Sequence, residues 1–279
     1  MRVEAFPWPI ALDWARKQSP WDPPMPRTIL AHFTDAHLGQ RLAARDEIAG
    51  SKMGYEETPG EHEWRMKIVL DDISRKGISH VVFGGDIGGP SSVAGFFKLL
   101  HGYGFELSLV LGNHDKYGDM IRYRGAGEAV VEGKHCYSRG DRHLKRIFLD
   151  SSDNLIGGAQ RAWLAHELSD ADRAAIFVHH PVLALDTPLD RTGAALQDRE
   201  ELKSLLAGAP CEVSVFCGHY HMIDEAREAN IRQYVTPAVS YQIVKQSEKL
   251  QVDTKTFGYR ILELDGAEIR TQVILFTTA

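Results

Sequence analysis

Five short blocks of this sequence hold residue types able to bind metal and move protons. They are Asp35 and His37 in DAH, Asp86 in GGD, Asn113 and His114 in GNHD, His179 in HHP, and His219 and His221 in GHYH. Carboxylate and imidazole suit divalent or trivalent first-row ions such as Mn, Fe or Zn, and the lack of cysteine in every block argues against a closed structural zinc site. One carboxylate shared by two ions, with His, Asp and Asn ligands on either side, holds them about 3.5–4 Å apart. That is a clamp for in-line displacement at phosphorus, with water as the attacking group. GNHD alone is expected by chance in a chain of this length with a probability on the order of one in a thousand. DxH, GD or HxP alone mean little, so the signal lies in their ordered succession.

Such distant blocks need elements to bring them together. Apolar, β-rich runs recur along the chain, TILAHFTDAH, HVVFGGD, ELSLVLGNHD, AAIFVHHP and VSVFCGHYH, each feeding a polar or glycine-rich loop. Between them the spacing of Trp64, Ile68, Leu70 and Ile73, of Phe96, Phe97, Leu99 and Leu100, of Trp163, Leu164 and Leu168, and of Leu202, Leu205 and Leu206 predicts helices. Alternating strand and helix give an open α/β sheet, which gathers its site at the carboxyl ends of its strands. The tail, RQYVTPAVSYQIV, GYRILELD and AEIRTQVILF, predicts a second, more antiparallel sheet. Residues 1–27, rich in proline and tryptophan, are read as an arm, and 28–279 as a single domain. Trp8, Trp14 and Trp21 are costly to leave in water, so the arm is expected to dock on the protein's own body or on a neighbouring subunit, giving a homo-oligomer in the second case.

With 279 residues, 43% of them hydrophobic, the chain can bury a large core. A net charge of -6 and a pI near 6.1 provide no broad positive field, so an obligate nucleic-acid partner is not expected, nor the basic groove of a nuclease. Cys136, Cys211 and Cys217 are too few for a disulfide framework, which points to a reducing, cytoplasmic setting. Acids at Glu4, Asp13 and Asp22 argue against a signal peptide, and no run reaches the roughly 20 apolar residues of a membrane span.

In the order and content of its blocks the sequence resembles the calcineurin-like metallophosphoesterases, whose DxH, GD, GNHD, HxP and GHxH pattern is matched from Asp35 to His221. Within that superfamily it is similar to the class III cyclic-nucleotide phosphodiesterases and the related glycerophosphodiesterases, in HFTDAHL, LGNHDKYGD, LDSSDNLIGGAQRAWL, FVHHPVLALDTPLDRTGAALQDREEL, FCGHYH and FGYRILEL. The resemblance runs from Arg27 to the end. It implies a four-layer α/β/β/α sandwich of two mixed sheets flanked by helices. It also implies one ion held by Asp35, His37 and His221, a second by Asn113, His179 and His219, and Asp86 as the bridge that makes both catalytically competent. His114, beside a ligand but not one itself, would face the substrate and assist the leaving oxygen or stabilise charge in the transition state. The implied reaction is dinuclear metal-dependent hydrolysis of a small phosphodiester, a cyclic nucleotide or a glycerol-type diester, by water activated at the metals. Alternatives are a phosphomonoesterase, a nucleotide-sugar or lipid pyrophosphatase on the same centre, and a non-catalytic binding module; the last needs missing ligands, and none is missing.

Two departures bear on substrate choice: the stretch from Leu38 to Gly60 is long, and HHP continues with Val182. Among neighbouring residues, His32 is read as a core residue, and alternation turns His180 away from its neighbour's site. Asp115 is read as the cap of the following helix. Arg41, Arg45, Lys52, Arg122, Arg124 and Arg191 are candidates for a phosphate contact, with Arg41, Arg45 and Arg191 foremost. Cys217 is read as a small packing residue.

Overall fold

The computed structural model describes residues 27–43, 54–120, 123, 130–191, 193–245, 250–265 and 268–278. The arm with Trp8, Trp14 and Trp21, and also Arg45, Lys52, Arg122 and Arg124, lies outside the described residues.

Strand β1 (Thr28–Phe33) is followed by the short pair β2 (Gln40–Leu42) and β3 (Tyr55–Glu57), then helix α1 (Glu63–Arg75) and β4 (His80–Phe83). Next come α2 (Val93–His101), β5 (Glu106–Leu109), the short α3 (Tyr117–Met120), β6 (Val130–Val131) and β7 (Lys134–His135). The chain continues through β8 (Tyr137–Asp141), β9 (Leu144–Phe148), α4 (Gly158–Leu168), β10 (Arg173–Phe177), α5 (Arg199–Ala207) and β11 (Glu212–Cys217). It closes with β12 (Asp224–Glu228), β13 (Ile231–Val235), β14 (Gln242–Ile243), β15 (Val252–Asp253), β16 (Thr256–Asp265) and β17 (Glu268–Thr277).

Two mixed sheets result. One has the order β17-β16-β1-β4-β5, the other β12-β13-β11-β10-β9-β8. Period-two alternation sorts their side chains into layers. Ala31, Phe33, Val81 and Phe83 face the helices, where Met66, Val69, Leu70 and Ile73 of α1 and Phe96 of α2 cover them. Ala174, Ile176, Val213 and Val215 of the other sheet face Leu164 and Leu168 of α4 and Leu202 and Leu206 of α5. Leu30, Val82, Phe148, Phe177, Phe216 and Leu262 meet between the sheets. The four layers are thus helix, sheet, sheet, helix, the architecture expected from the resemblance. On α1 the buried face is set by Met66, Val69, Leu70 and Ile73, whereas Trp64 is 45% exposed.

Apart from the two-residue pair β14–β15, the tail does not form a sheet of its own. β16 pairs antiparallel with β1 from Thr28↔Leu264 to His32↔Arg260, and β17 pairs with β16, so both extend the first sheet. β13 joins the second sheet beside β11, in parallel. The apolar alternation of β16 is satisfied as well beside β1 as in a separate layer, and β1 otherwise leaves an edge unpaired.

A ladder of aromatic rings crosses the inner face of the second sheet. Tyr137, Phe148, Phe177, Phe216 and Tyr234 occupy facing register positions on five neighbouring strands. Their rings stack at centroid separations of 4.4, 5.1, 5.3 and 5.2 Å in turn. His32 meets Phe177 edge-on at 5.5 Å and pairs with Thr236 Oγ1 at 2.8 Å, the core role expected of it. The ladder lies one or two residues before the loops that carry His179 and His219, so it fixes where those loops begin.

Truncating the ladder at its centre, Phe177→Ala, is expected to lower unfolding free energy by about 3–5 kcal/mol, the cost of a large cavity in a close-packed core. Urea unfolding followed by fluorescence measures it, and a loss under about 1 kcal/mol would show that the ladder does not carry the sheet.

Candidate metal centre

The carboxyl ends of β1, β4, β5, β10 and β11 share one edge of the sandwich, and the backbone there is stitched across both sheets. Asp35 N–H donates to Gly85 O (2.9 Å), His37 N–H to Asp86 O (3.1 Å), Gly218 N–H to His179 O (3.0 Å) and Ser240 N–H to Asp35 O (3.2 Å). Of the nine described non-glycine residues with positive φ, five are Asp35, His37, Asp86, His219 and His221. A left-handed residue that is not glycine costs on the order of 1–3 kcal/mol, and such strain collects where side chains must be aimed. Two motif glycines give the space: a Cβ on Gly112 would lie 2.2 Å from Asp86 Oδ1, and one on Gly218 would lie 2.3 Å from Asp35 Oδ2.

The side chains converge. Asp86 Oδ2 lies 3.2 Å from His179 Nε2 and 3.7 Å from His37 Nε2. Asp35 Oδ1 lies 3.3 Å from His221 Nε2 and 3.9 Å from His179 Nε2. Three groups have ligand atoms within 4.8 Å of one another: Asp35, His37 and His221; Asp86, His179 and His219; and His37, Asp86 and His114. Asp86 and His37 each occur in two of these sets, and the set they share links the other two. Asn113 Oδ1 is buried without a hydrogen-bond partner among the described residues. His114 is half-buried, and its backbone N–H donates to Asp86 Oδ1 at 2.8 Å.

Backbone carbonyls decide which imidazole nitrogens carry hydrogen. His179 Nδ1 faces Gly84 O at 2.8 Å, His219 Nε2 faces Ala194 O at 2.9 Å, and His221 Nδ1 faces Tyr241 O at 3.1 Å. A nitrogen against a carbonyl must be the N–H, so in each neutral ring the other nitrogen presents a lone pair. His221 Nε2, in the neutral ring, therefore aims a lone pair towards Asp35 Oδ1 and also stands 3.2 Å from His37 Nε2, while His179 Nε2, 3.2 Å from Asp86 Oδ2, either presents a lone pair or carries a second proton to that carboxylate. Acceptors facing acceptors in a dry space repel unless a cation lies among them, so the donor set fits divalent or trivalent ions.

The proton affinities express the same need. Burial would drive His179 down, yet the carboxylates of Asp86 and Asp35 outweigh it and push the imidazole up to about 10. Asp86, although burial raises it, is held well below the usual carboxylate range, chiefly by His179. Burial pushes His37 down to about 3 and His219 down to about 4.

All eight residues singled out in the sequence stand at this edge. Around them, Thr34 Oγ1 donates to Asp35 Oδ2 (2.7 Å) and Ser240 Oγ to Asp35 O (2.7 Å). Asp115 is not a helix cap. It accepts from Asp86 N (2.8 Å), Ile87 N (3.0 Å) and Gly112 N (2.9 Å), tying the loop after β4 to the loop after β5. A lone Asp before a helix reads locally as a cap, and the partner loop is 28 residues away in sequence. His180 is turned from the carboxylates and bonds Ser151 Oγ at 2.8 Å, with its ring 4.1 Å from that of His219. Arg41 and Arg191 are exposed and pair with Glu56 (3.7 Å) and Asp186 (3.4 Å), so neither is aimed at the centre. Cys217 is buried in the helix-facing core. Two residues carried no signal in the sequence: Tyr55, whose ring stacks on His37, and Tyr241, whose ring stacks on His221.

Comparison with known proteins agrees with this geometry. The family model described as the calcineurin-like phosphoesterase superfamily domain matches residues 30–237. The chain is 28% identical over 259 residues to a protein named probable cyclic nucleotide phosphodiesterase from Pseudoalteromonas sp. (strain SM9913), covering 88% of this chain and 92% of that one. It is 29% identical over 182 residues to a glycerophosphodiester phosphodiesterase of Enterobacter lignolyticus, covering 58% of this chain and 63% of that one. In fold it is similar to a dimetal phosphatase from Danio rerio, with a TM-score of 0.58 at 14% identity, covering 90% of this chain and 99% of that one. It is also similar to a purple acid phosphatase from yellow lupin, with a TM-score of 0.61 at 13% identity, over 90% of this chain and 53% of that one.

Removing the tie, Asp115→Ala, strands three buried N–H groups at about 1–3 kcal/mol each. A loss of roughly 3 kcal/mol or more is expected in urea unfolding, and a loss under about 1 kcal/mol would show that the two loops hold their places without it.

Proposed function

This chain belongs to the calcineurin-like phosphoesterase superfamily and is a metal-dependent phosphoesterase, and we propose that it hydrolyses a small phosphodiester, a cyclic nucleotide or a glycerol-type diester, at a dinuclear centre. Asp35, His37 and His221 would hold one ion, Asn113, His179 and His219 the other, and Asp86 would bridge them. What supports the set is the cluster of buried carboxylates and imidazoles at that edge, with His179 Nε2 3.2 Å from Asp86 Oδ2 and His221 Nε2 3.3 Å from Asp35 Oδ1. Bound there, the ions would supply Lewis acidity at the phosphoryl oxygens and a nucleophile drawn from water at neutral pH. The protein's own contribution is placement. Gly84, Ala194 and Tyr241 fix three imidazoles through their carbonyls, and ligand rings held in this way bind metal with less reorganisation.

His114 has a different place. Its main chain is anchored on Asp86, its half-buried ring lies 5.1 Å from that of His37, and it can hold a proton at the leaving oxygen as the ester bond breaks. Because His114 also falls within ligand distance of His37 and Asp86, its role is separable by experiment. His114→Ala should lower turnover with both ions still bound, whereas His221→Ala should deplete metal. Metal loss in both variants would make His114 a ligand.

The preference for a diester rests on charge. A monoester near neutral pH carries close to two negative charges and a diester one. Stabilising the added charge calls for Arg or Lys at the phosphoryl oxygens. None of the five blocks contains either, and Arg41 and Arg191 are engaged in surface ion pairs. The names of the two relatives above point to the same class. Buried, free Cys136, Cys211 and Cys217 suit a reducing compartment such as the cytoplasm. No helix among the described residues is long and apolar enough to cross a membrane.

Bis(p-nitrophenyl) phosphate should be a better substrate than p-nitrophenyl phosphate under one metal condition, and cyclic nucleotides better than their monophosphates. A catalytic efficiency at least tenfold higher on the monoester would instead favour the phosphomonoesterase reading.

A further inference from the structure

Three of the four candidate ligand imidazoles take their orientation from a carbonyl, and His37 does not. Its Nδ1 is buried with no hydrogen-bond partner among the described residues, so nothing polar on that side fixes the ring. An aromatic contact takes that place. The Tyr55 ring lies parallel to His37 at 4.8 Å and 8°, and meets His114 edge-on at 4.9 Å. Tyr55 Oη and Tyr241 Oη are 2.6 Å apart, and the Tyr241 ring stacks on His221 at 4.3 Å. The two rings assigned to one ion are thus each backed by a tyrosine, and one hydroxyl hydrogen bond joins those tyrosines. Tyr241 is buried and sits just past the strand-end loop, whereas Tyr55 arrives from the long excursion after the first block. It is placed by β3, which pairs with β2 at Leu42↔Tyr55, and by Thr58 N–H donating to Gly39 O at 2.8 Å.

We propose that Tyr55 is the positioning residue for His37, and that the Tyr55–Tyr241 pair organises one of the two metal positions, the one formed by Asp35, His37 and His221. The described ends of the excursion after Leu38, residues 38–43 and 54–60, then serve to deliver this ring. A stacked ring holds the imidazole plane as a carbonyl does for the others, and the hydroxyl bond couples the pitch of His37 to that of His221. The second position, formed by Asn113, His179 and His219, has no part in the pair. This inference rests on the dinuclear reading above.

The experiment is titration of chelator-treated full-length protein with Co2+, followed by calorimetry and by the visible spectrum of the bound ion. Wild type should bind two ions. Tyr55→Ala should weaken one of them by about 10- to 100-fold, the usual cost of an orienting partner, and leave the other within about twofold. Tyr55→Phe keeps the stack and so guards against a variant that fails to fold. It removes a hydroxyl and leaves that of Tyr241 buried and unmatched, so a loss of roughly fivefold at the same ion is expected. Adding Tyr241→Phe removes the unmatched group, and the double variant should bind no more weakly than Tyr55→Phe alone. Unchanged binding in Tyr55→Ala, or equal weakening at both ions, would overturn the proposal while leaving the dinuclear centre standing. Fewer than two ions in the wild type would overturn both.

Discussion

Asp35 and Asp86 are 0% and 2% exposed, in a space they share with the imidazoles of His37, His179 and His221. An ionised carboxylate taken out of water costs several kcal/mol even after relaxation, and two near each other cost more. Without metal, His179 answers by keeping a proton far beyond the ordinary range of histidine. That remedy supplies one positive charge where two carboxylates need compensation. Two multivalent ions would supply the rest and release His179 from its extra proton, and Asn113 Oδ1, in the loop that also carries His114, is buried without a hydrogen-bond partner among the described residues. The remainder of the site follows from this constraint on charge.

Holding so many acceptors together requires a frame that does not yield. The sandwich provides it by ending parallel strands of both sheets at one edge and stitching the loops across with main-chain hydrogen bonds. Five site residues sit in the left-handed region, a local cost that the surrounding layers must over-determine. The aromatic ladder is part of that support, because it fixes β9, β10, β11 and β13 relative to one another just below the loops. Asp115 does similar work with polar atoms, binding two loops through three N–H groups.

Much of this was legible in the sequence, for a physical reason. Ligand chemistry restricts residue type, and a parallel strand restricts position, so DAH, GGD, GNHD, HHP and GHYH announce themselves at the ends of apolar runs. Alternation and helical spacing made the strands and helices legible in the same way, while their stacking into four layers came only from the resemblance. What escaped notice was pairing across distance. β16 reads as part of an antiparallel tail and gives no hint that its partner is β1. Asp115 reads as a cap because its partners, apart from Gly112, lie far back in the chain. Arg41 and Arg191 are attractive as loop cations only until Glu56 and Asp186 are seen beside them. Tyr55 is an ordinary tyrosine in a long loop, and its contact with His37 exists only once β2 and β3 have paired.

The central claim, that two buried carboxylates are compensated by two ions, is tested most directly by counting them. Protein purified without chelator, in medium supplied with Mn, Fe and Zn, should carry two metal ions per chain by elemental mass spectrometry, and hydrolysis should disappear as they are removed and return as they are restored. A preparation that carries one ion or none and still hydrolyses phosphate esters at full rate would contradict the account.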